Sequence, residues 1–590
     1  MLGLQGLIVI AAVLVGVQAE QATFTVPPQD ANASLDRVST PVLTSAVRAD
    51  VQKILSDAGV PGTSLAFITR DGPTEFANFG IRSEEGDPMT SDTLFTIASC
   101  SKAFVASAIG ILMEDYATGR NSTPLPPGLT KFDWDTKIKD LLPGEWHLMD
   151  EWAEEKADVK DILSHTSGLP RCVLFSYAVL HDMSYYRRDT LVSVLARVHL
   201  LRPSFELRER WSYNNIMYMI SAHIIETYTG SFTSFVHDRL FAPLNMTAST
   251  YSPAKALASG KATHAFSSDG RRLPWWFEED DYELSAGPGG IIASTEGLSN
   301  WVSTLLHEGV NPATNKTVLS KDIFETTTTS RAVMLGVGTK TESIVGYGLG
   351  WMRVSYLGHD IVWHSGSVVG IGTLVMFAPQ DGVGLVLLSN ADASYVTNLA
   401  AAWRVFRAAF DIKNDAPAPS LADVDKRVPP REDTKAQDRR AEELPAGVDF
   451  TGAYSASGYG PGFVLCNTSS TSSYCLDLLA SYSAALGTLS PTTLYGHWPR
   501  LWSSDVRLVH HNGTRFALDL VSLFPSGFGR NHTGFAVLLS GDENGPWADF
   551  ALEDGVVKGF GLDGTVGEKT MREKKGGSVQ ETADAWFMRT

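Results

Sequence analysis

Residues 95–115 read FTIASCSKAFVASAIGILMED. From Ala103 onward the apolar side chains recur at three- and four-residue intervals, which predicts a buried helix over 101–115. Ser99 and Lys102 stand three apart at its start, so they share one helix face. A serine hydroxyl is a weak nucleophile until a base takes its proton. A lysine amine, with a pKa of about 10.4 when free, serves as that base only where burial or nearby cations lower it. The helix start supplies the positive end of the dipole and free N–H groups for an oxyanion. The plain alternative is a capping serine beside a solvated lysine. Ser252-Pro253-Ala254-Lys255 repeats the spacing in a Pro-containing loop.

Outward from this segment, residues 41–56 read as a helix, and Thr63–Thr69 and Glu75–Gly80 as strands about an Asp71-Gly72 turn. Helices are expected at 159–164, 187–200, 214–229, 295–307 and 393–411, and strands at 361–364, 371–377 and 383–389. Strands therefore open and close this region while helices fill its middle. That is an α+β pattern, an antiparallel sheet flanked by helices with a mostly helical insert, over 41–411. Residues 412–446 are rich in Pro, Ala and charge and read as a linker. Beyond them, Phe516–Leu523, Phe535–Leu539, Ala548–Leu552 and Val556–Leu562 alternate. The last two flank a Glu553-Asp554-Gly555 turn, so 447–590 reads as a small antiparallel barrel.

Composition excludes more than it assigns. Of 590 residues, 44% are hydrophobic and 19% charged, against a usual ~25%, so a disordered chain or long coiled coil is excluded. Lys and Arg number 48 against 66 Asp and Glu, a net charge of −18. A nucleic-acid partner is not expected, since phosphate contacts need cations. The apolar run Leu7–Val17 is shorter than the ~20 residues that span a bilayer. It ends in Val17-Gln18-Ala19, a small-x-small pattern, so residues 1–19 are expected to be a signal peptide, although no Lys or Arg precedes the run. No later segment reads as a transmembrane helix, and stable membrane insertion is not expected. Asn32, Asn121, Asn245, Asn315, Asn467, Asn512 and Asn531 each begin an N-x-Ser/Thr triplet, as expected of a secreted glycoprotein. Cys466 and Cys475 flank a polar turn and are expected to form a local disulfide, with Cys100 and Cys172 as candidates for a second. No C-x-x-C or His-Cys cluster points to zinc, and no metal or cofactor is expected.

Three further segments carry chemistry. Tyr213-Asn214-Asn215 is the one Y-x-N among 17 tyrosines and opens the helix expected at 214–229. A phenol there can exchange a proton with a nucleophile and a leaving group, and Asn215 can hold a substrate carbonyl. An aromatic staple with a capping Asn is the plain alternative. His364-Ser365-Gly366-Ser367 follows an apolar strand, and Gly366 and Gly370 admit a close backbone approach. His307, His511 and His532 also begin H-x-G, without that setting. His165-Thr166-Ser167-Gly168-Leu169-Pro170 ends the helix expected at 159–164 with ordinary stop signals.

In this order, Ser99-x-x-Lys102, LSHTSGLP at 163–170, Tyr213-x-Asn215 and His364-x-Gly366 resemble the serine β-lactamase-related family, and SAGPGGIIAS at 285–294 is similar to it too. The likeness covers roughly 41–411, in the branch that holds class C β-lactamases, D-alanyl-D-alanine carboxypeptidases, D-aminopeptidases, esterases and some fungal acyltransferases. It implies a β-lactamase/transpeptidase-like fold and an acyl-enzyme on Ser99, with Lys102 and Tyr213 handling its proton. Asn215 would orient substrate. Backbone N–H groups of Ser99 and Ser367 would form the oxyanion hole. His364 would stand where many relatives carry the lysine of a K-T/S-G triad. No K-T-G or K-S-G occurs in this chain. Loss of that fixed cation favours esterase, amidase or acyl-transfer chemistry on a small or peptide-like substrate over a dedicated β-lactamase. The C-terminal barrel resembles lipocalin-like domains appended to some members. Acyl transfer to an alcohol or amine, or a catalytically inactive binding protein, remain alternative readings, and the oligomeric state is left open. The aromatic run Arg271–Phe277 reads as core packing or as the lining of an acyl pocket.

Overall fold

The computed structural model describes residues 41–590 except 122, 170–182, 279–281, 393, 414–443, 541–545 and 564–569. The expected leader, Asn32, Cys172 and most of the expected linker lie outside the described residues.

An eight-stranded antiparallel sheet organises the first part of the chain. Its spatial order is Glu75–Gly80, Gly62–Thr69, Val383–Ser389, Ile371–Ala378, His359–Val368, Met352–Tyr356, Val345–Tyr347 and Ala332–Leu335. Thr63 pairs with Ser389 and Phe79, so the first hairpin zips onto a strand more than 300 residues away in sequence. Side chains alternate across the strands. Leu65, Phe67, Trp363, Met376 and Leu387 pack with Val47, Val51 and Leu55 of the helix Ser45–Asp57 and with Trp403 of Ser394–Ala409. Those three helix residues are spaced i, i+4, i+8, and Thr44 Oγ1 caps the helix by accepting from Val47 N. Ala66, Ile68, Val375 and Val386 turn to the opposite face, where Thr295–Leu306 packs.

The helix Lys102–Ala117 is buried on nearly every side and packs against the helices Asn215–Thr229 and Lys321–Thr328, with Phe104 stacked on Trp301 of Thr295–Leu306. Each large apolar side chain buried this way contributes about 1.5–3 kcal/mol. Gly110 lets Ile323 and Trp134 approach, since a Cβ there would lie 2.9 Å from Ile323. The helix expected at 187–200 is shorter, Leu191–Val198. The Asp189 carboxylate accepts from Tyr186 N and Ser193 Oγ and pairs with Arg197 at 2.5 Å, which holds the preceding residues in a turn.

Gly452–Ser455, Phe463–Cys466, Thr493–His497, Asp505–Asn512, Arg515–Phe524, Trp547–Glu553, Val556–Asp563 and Ala585–Arg589 close into an eight-stranded antiparallel barrel, with Phe535–Ser540 added on Arg515–Phe524. Phe450, Tyr454, Phe463, Phe516, Phe550, Phe560 and Phe587 are buried and in mutual ring contact, so aromatic side chains fill the interior, as expected for eight strands. Cys466 and Cys475 form a disulfide that ties a strand to the helix Ser473–Leu486.

The barrel holds the first part of the chain at several places. Trp276 Nε1 donates to Leu501 O at 3.1 Å, and Phe277 meets Trp502 edge-on, so the aromatic run packs into this junction. Arg572 reaches Pro203 O and Asp584, whose carboxylate also accepts from Ser204 Oγ at 3.0 Å. Arg271 donates to Thr533 O, and Arg530 N donates to Glu84.

Candidate active site

The short helical turn Ala98–Ser101 runs straight into Lys102–Ala117, so Ser99 stands at the positive end of a long helix. The turn is held on all sides. Ile97 N donates to Ile291 O at 2.8 Å, Thr373 Oγ1 donates to Ile97 O at 2.8 Å, and Ile291 N donates to Ser101 Oγ at 3.1 Å. Ala98 has φ 47, a left-handed conformation that disfavours a residue with a Cβ. Glycines make room for this conformation. A Cβ at Gly366 would collide with Ile97 O and Thr373 Oγ1, and one at Gly350 would lie 2.9 Å from Lys102 O.

Lys102 is completely buried and donates to Ser99 Oγ at 3.1 Å and to Pro288 O at 2.8 Å. Tyr213, also buried, donates its phenol to Ser99 Oγ at 2.7 Å, and its ring lies 4.8 Å from the Lys102 amine. Ser99 itself is only half-buried. One hydroxyl thus meets an amine and a phenol within hydrogen-bond reach and stays open on a third side. Such a constellation can pass the hydroxyl proton to either neighbour as the oxygen attacks a carbonyl. Asn215 begins the helix Asn215–Thr229 and is buried next to the site, while Asn214 caps that helix by accepting from Met217 N.

His364, expected to contact substrate, lies in the strand beside the nucleophile turn, on the face shared with Gly366. The ring is completely buried. Nδ1 donates to Ser365 O at 2.6 Å, so Nε2 of the neutral ring accepts a hydrogen bond from the Tyr347 hydroxyl at 3.1 Å. Burial, with Lys102 nearby, pushes its pKa down to about 3. The residue is a neutral, sealed ring and presents no cation to an incoming molecule. Ser367, two residues beyond Gly366's neighbour Ser365, is half-buried at the end of the same strand.

Cys100 is a free buried thiol rather than half of a second disulfide. It donates to His364 O at 3.2 Å, and burial pushes its pKa up to about 12, so it is inert as a thiolate nucleophile. The described sequons divide by exposure. Asn245, Asn315, Asn512 and Asn531 are exposed, whereas Asn121 and Asn467 are half-buried, with Asn121 Nδ2 donating to Tyr228 O. No cluster of metal-ligating side chains and no membrane-spanning helix occurs among the described residues.

One part of the site carries no signal in the motifs. Tyr347 lies among Gly346, Gly348 and Gly350, and those glycines are the available sign of close packing. Pro288, whose carbonyl holds Lys102, belongs to the SAGPGGIIAS stretch and sits in the short helix Tyr282–Gly289, which its proline and glycines disguise.

A sheet flanked by helices, with serine, lysine and tyrosine converging at a helix start, defines a serine-hydrolase class built without a His–Asp pair. A family model described as Beta-lactamase matches residues 47–410, more than half of the chain, and the chain belongs to that family. It is an enzyme of a serine-hydrolase family. Among relatives, an unguisins hydrolase of Aspergillus campestris is 27% identical over 59% of this chain and 62% of its own length. An unguisins hydrolase of Aspergillus violaceofuscus is 28% identical over 63% and 65%. The match therefore spans a little under two thirds of these fungal relatives. Penicillin-binding protein 4* of Bacillus subtilis is 24% identical over 52% of this chain and 63% of its own. The octameric penicillin-binding protein homologue from Pyrococcus abyssi shares the fold, with a TM-score of 0.51 and 18% identity over 89% of this chain and 98% of that one.

Proposed function

We propose that the chain is an exported, glycosylated serine hydrolase that cleaves an ester or amide through an acyl-enzyme on Ser99. The meeting of Lys102 and Tyr213 on the Ser99 hydroxyl carries this reading. Ser99 Oγ attacks the carbonyl carbon, and its proton passes to the Lys102–Tyr213 pair. The developing oxyanion is met by the Ser99 and Ser367 backbone N–H groups. The pair then returns the proton to the leaving alcohol or amine. Water attacks the acyl-enzyme, releasing the acid and restoring the serine. Asn215 orients the acyl portion.

The substrate is one whose recognition does not depend on a carboxylate. The neutral, buried His364 replaces the cation that would hold such a group, so a neutral ester or amide is favoured over a penicillin. The name of the two fungal relatives, unguisins hydrolase, favours hydrolysis over acyl transfer.

Turnover of neutral p-nitrophenyl esters tests the reading. Ser99→Ala should abolish it while leaving the unfolding midpoint nearly unchanged. Activity surviving that substitution means another residue is the nucleophile.

A further inference from the structure

We propose that His165 is a positioning residue that holds the Tyr213 phenol on Ser99 from both sides of the chain; this rests on the reading of Tyr213 as the proton-transfer partner. Two bonds bracket the tyrosine. Ser212 N donates to the His165 carbonyl at 2.7 Å, and Asn214 N donates to His165 Nδ1 at 3.1 Å. The residues immediately before and after Tyr213 are therefore fixed by one histidine. Its ring then packs on the tyrosine itself, with centroids 4.3 Å apart.

The backbone of His165 explains why one residue can do both. With φ 62 it adopts a left-handed conformation. The following residues run alongside the chain that leads to Tyr213: Arg208 N donates to Thr166 O at 2.8 Å, and Ser212 Oγ donates to Leu169 O at 2.8 Å. The segment after the helix Val159–Leu163 is thus more than a helix stop. It is the rail on which the tyrosine is mounted.

The side chain's chemistry is equally constrained. Nδ1 accepts, so a neutral ring carries its proton on Nε2. The ring is completely buried and enclosed by Tyr213, Tyr218, Tyr347 and Trp211. Burial, with Lys102 and His364 nearby, lowers its pKa well below the usual histidine value, which keeps Nδ1 available as an acceptor. His165 does not hydrogen-bond to Ser99, and nothing in this geometry asks it to exchange a proton with substrate.

An acceptor at the Nδ1 position is the property to test. Asparagine places its Oδ1 near that position and tolerates a left-handed backbone, whereas phenylalanine keeps a ring without an acceptor. Acylation by a neutral p-nitrophenyl ester is measured on wild type, H165N, H165F and Y213F, with kcat and KM separated and the unfolding midpoint recorded. H165F should lose about 100-fold in kcat with KM within threefold, the scale of a misplacement of about 1 Å. H165N should recover to within tenfold of wild type. Equal losses in H165N and H165F, or H165F within threefold of wild type, overturn the proposal. Should H165F fail to fold, H165N decides alone: within tenfold upholds the acceptor, and a hundredfold loss overturns it. Y213F separates the two readings. If Y213F keeps wild-type rates, the reading of Tyr213 fails; if Y213F is inactive while H165F is not, only the role of His165 fails.

Discussion

The chain carries the same four-residue pattern at 99–102 and at 252–255, and the two copies have opposite fates. At the second, Ser252 Oγ accepts from Lys255 N and caps the helix Pro253–Ala258, while Lys255 points into solvent. At the first, the serine accepts from the lysine amine and a distant phenol, and the lysine is completely buried. Spacing alone puts the two side chains on one face. What separates a cap from a nucleophile is the rest of the fold, which takes water from the lysine and supplies Pro288 O and Tyr213 in its place.

The largest expected effect breaks this comparison at its lysines. Lys102→Met should slow acylation by about three orders of magnitude, the range of losses when a general base is removed. Lys255→Met should leave the rate within twofold. Stopped-flow acylation of both variants checks the contrast, and a Lys102→Met rate within a few-fold of wild type removes that lysine from the mechanism. The serines should invert when stability is read instead of rate. Ser252→Ala should cost about 1 kcal/mol through its lost cap, with activity intact. Ser99 caps no helix by its side chain, so Ser99→Ala should leave stability nearly unchanged.

A smaller effect sharpens the comparison at the floor of the nucleophile turn. In Gly366→Ala the new methyl meets Ile97 O and Thr373 Oγ1, so the turn must shift. Overpacking of this kind costs about 1–3 kcal/mol, and a displaced Ser99 should lose roughly 100-fold in kcat. Denaturant unfolding and steady-state kinetics on one sample check both.

Much of this site is legible in sequence because its parts are local. The apolar spacing of 103–113 announces a buried helix, and Ser99 and Lys102 share its face by helical geometry. Trp363 and His364 fall on opposite faces of a strand for the same kind of reason. The neutral state of His364 is not local: it depends on a Tyr347 hydroxyl from another strand and on complete burial. Strands such as Val345–Tyr347 and Gly452–Ser455 are too short and glycine-rich to show a period of two, yet they complete the sheet and the barrel. The clamp at His165 reads as a helix stop, because the partners of its segment lie about 40–50 residues downstream.

A further expected effect is in pH dependence. His364 has a folded pKa of about 3, below the ~6.5 of an exposed histidine. Between those values the unfolded chain binds a proton that the folded chain refuses, so stability falls as pH drops through that window. His165 shifts in the same direction. The unfolding midpoint should therefore fall from pH 7 to pH 4, and less steeply in His364→Gln. An identical slope in that variant assigns the dependence to other groups.

The most direct measurement is peptide-mapped mass spectrometry of the protein quenched during turnover of a slow neutral ester. The acyl mass is expected on the peptide that carries Ser99, absent from Ser99→Ala, and never on the peptide that carries Ser252. An acyl group on any other residue, or one that persists without the Ser99 hydroxyl, contradicts the account.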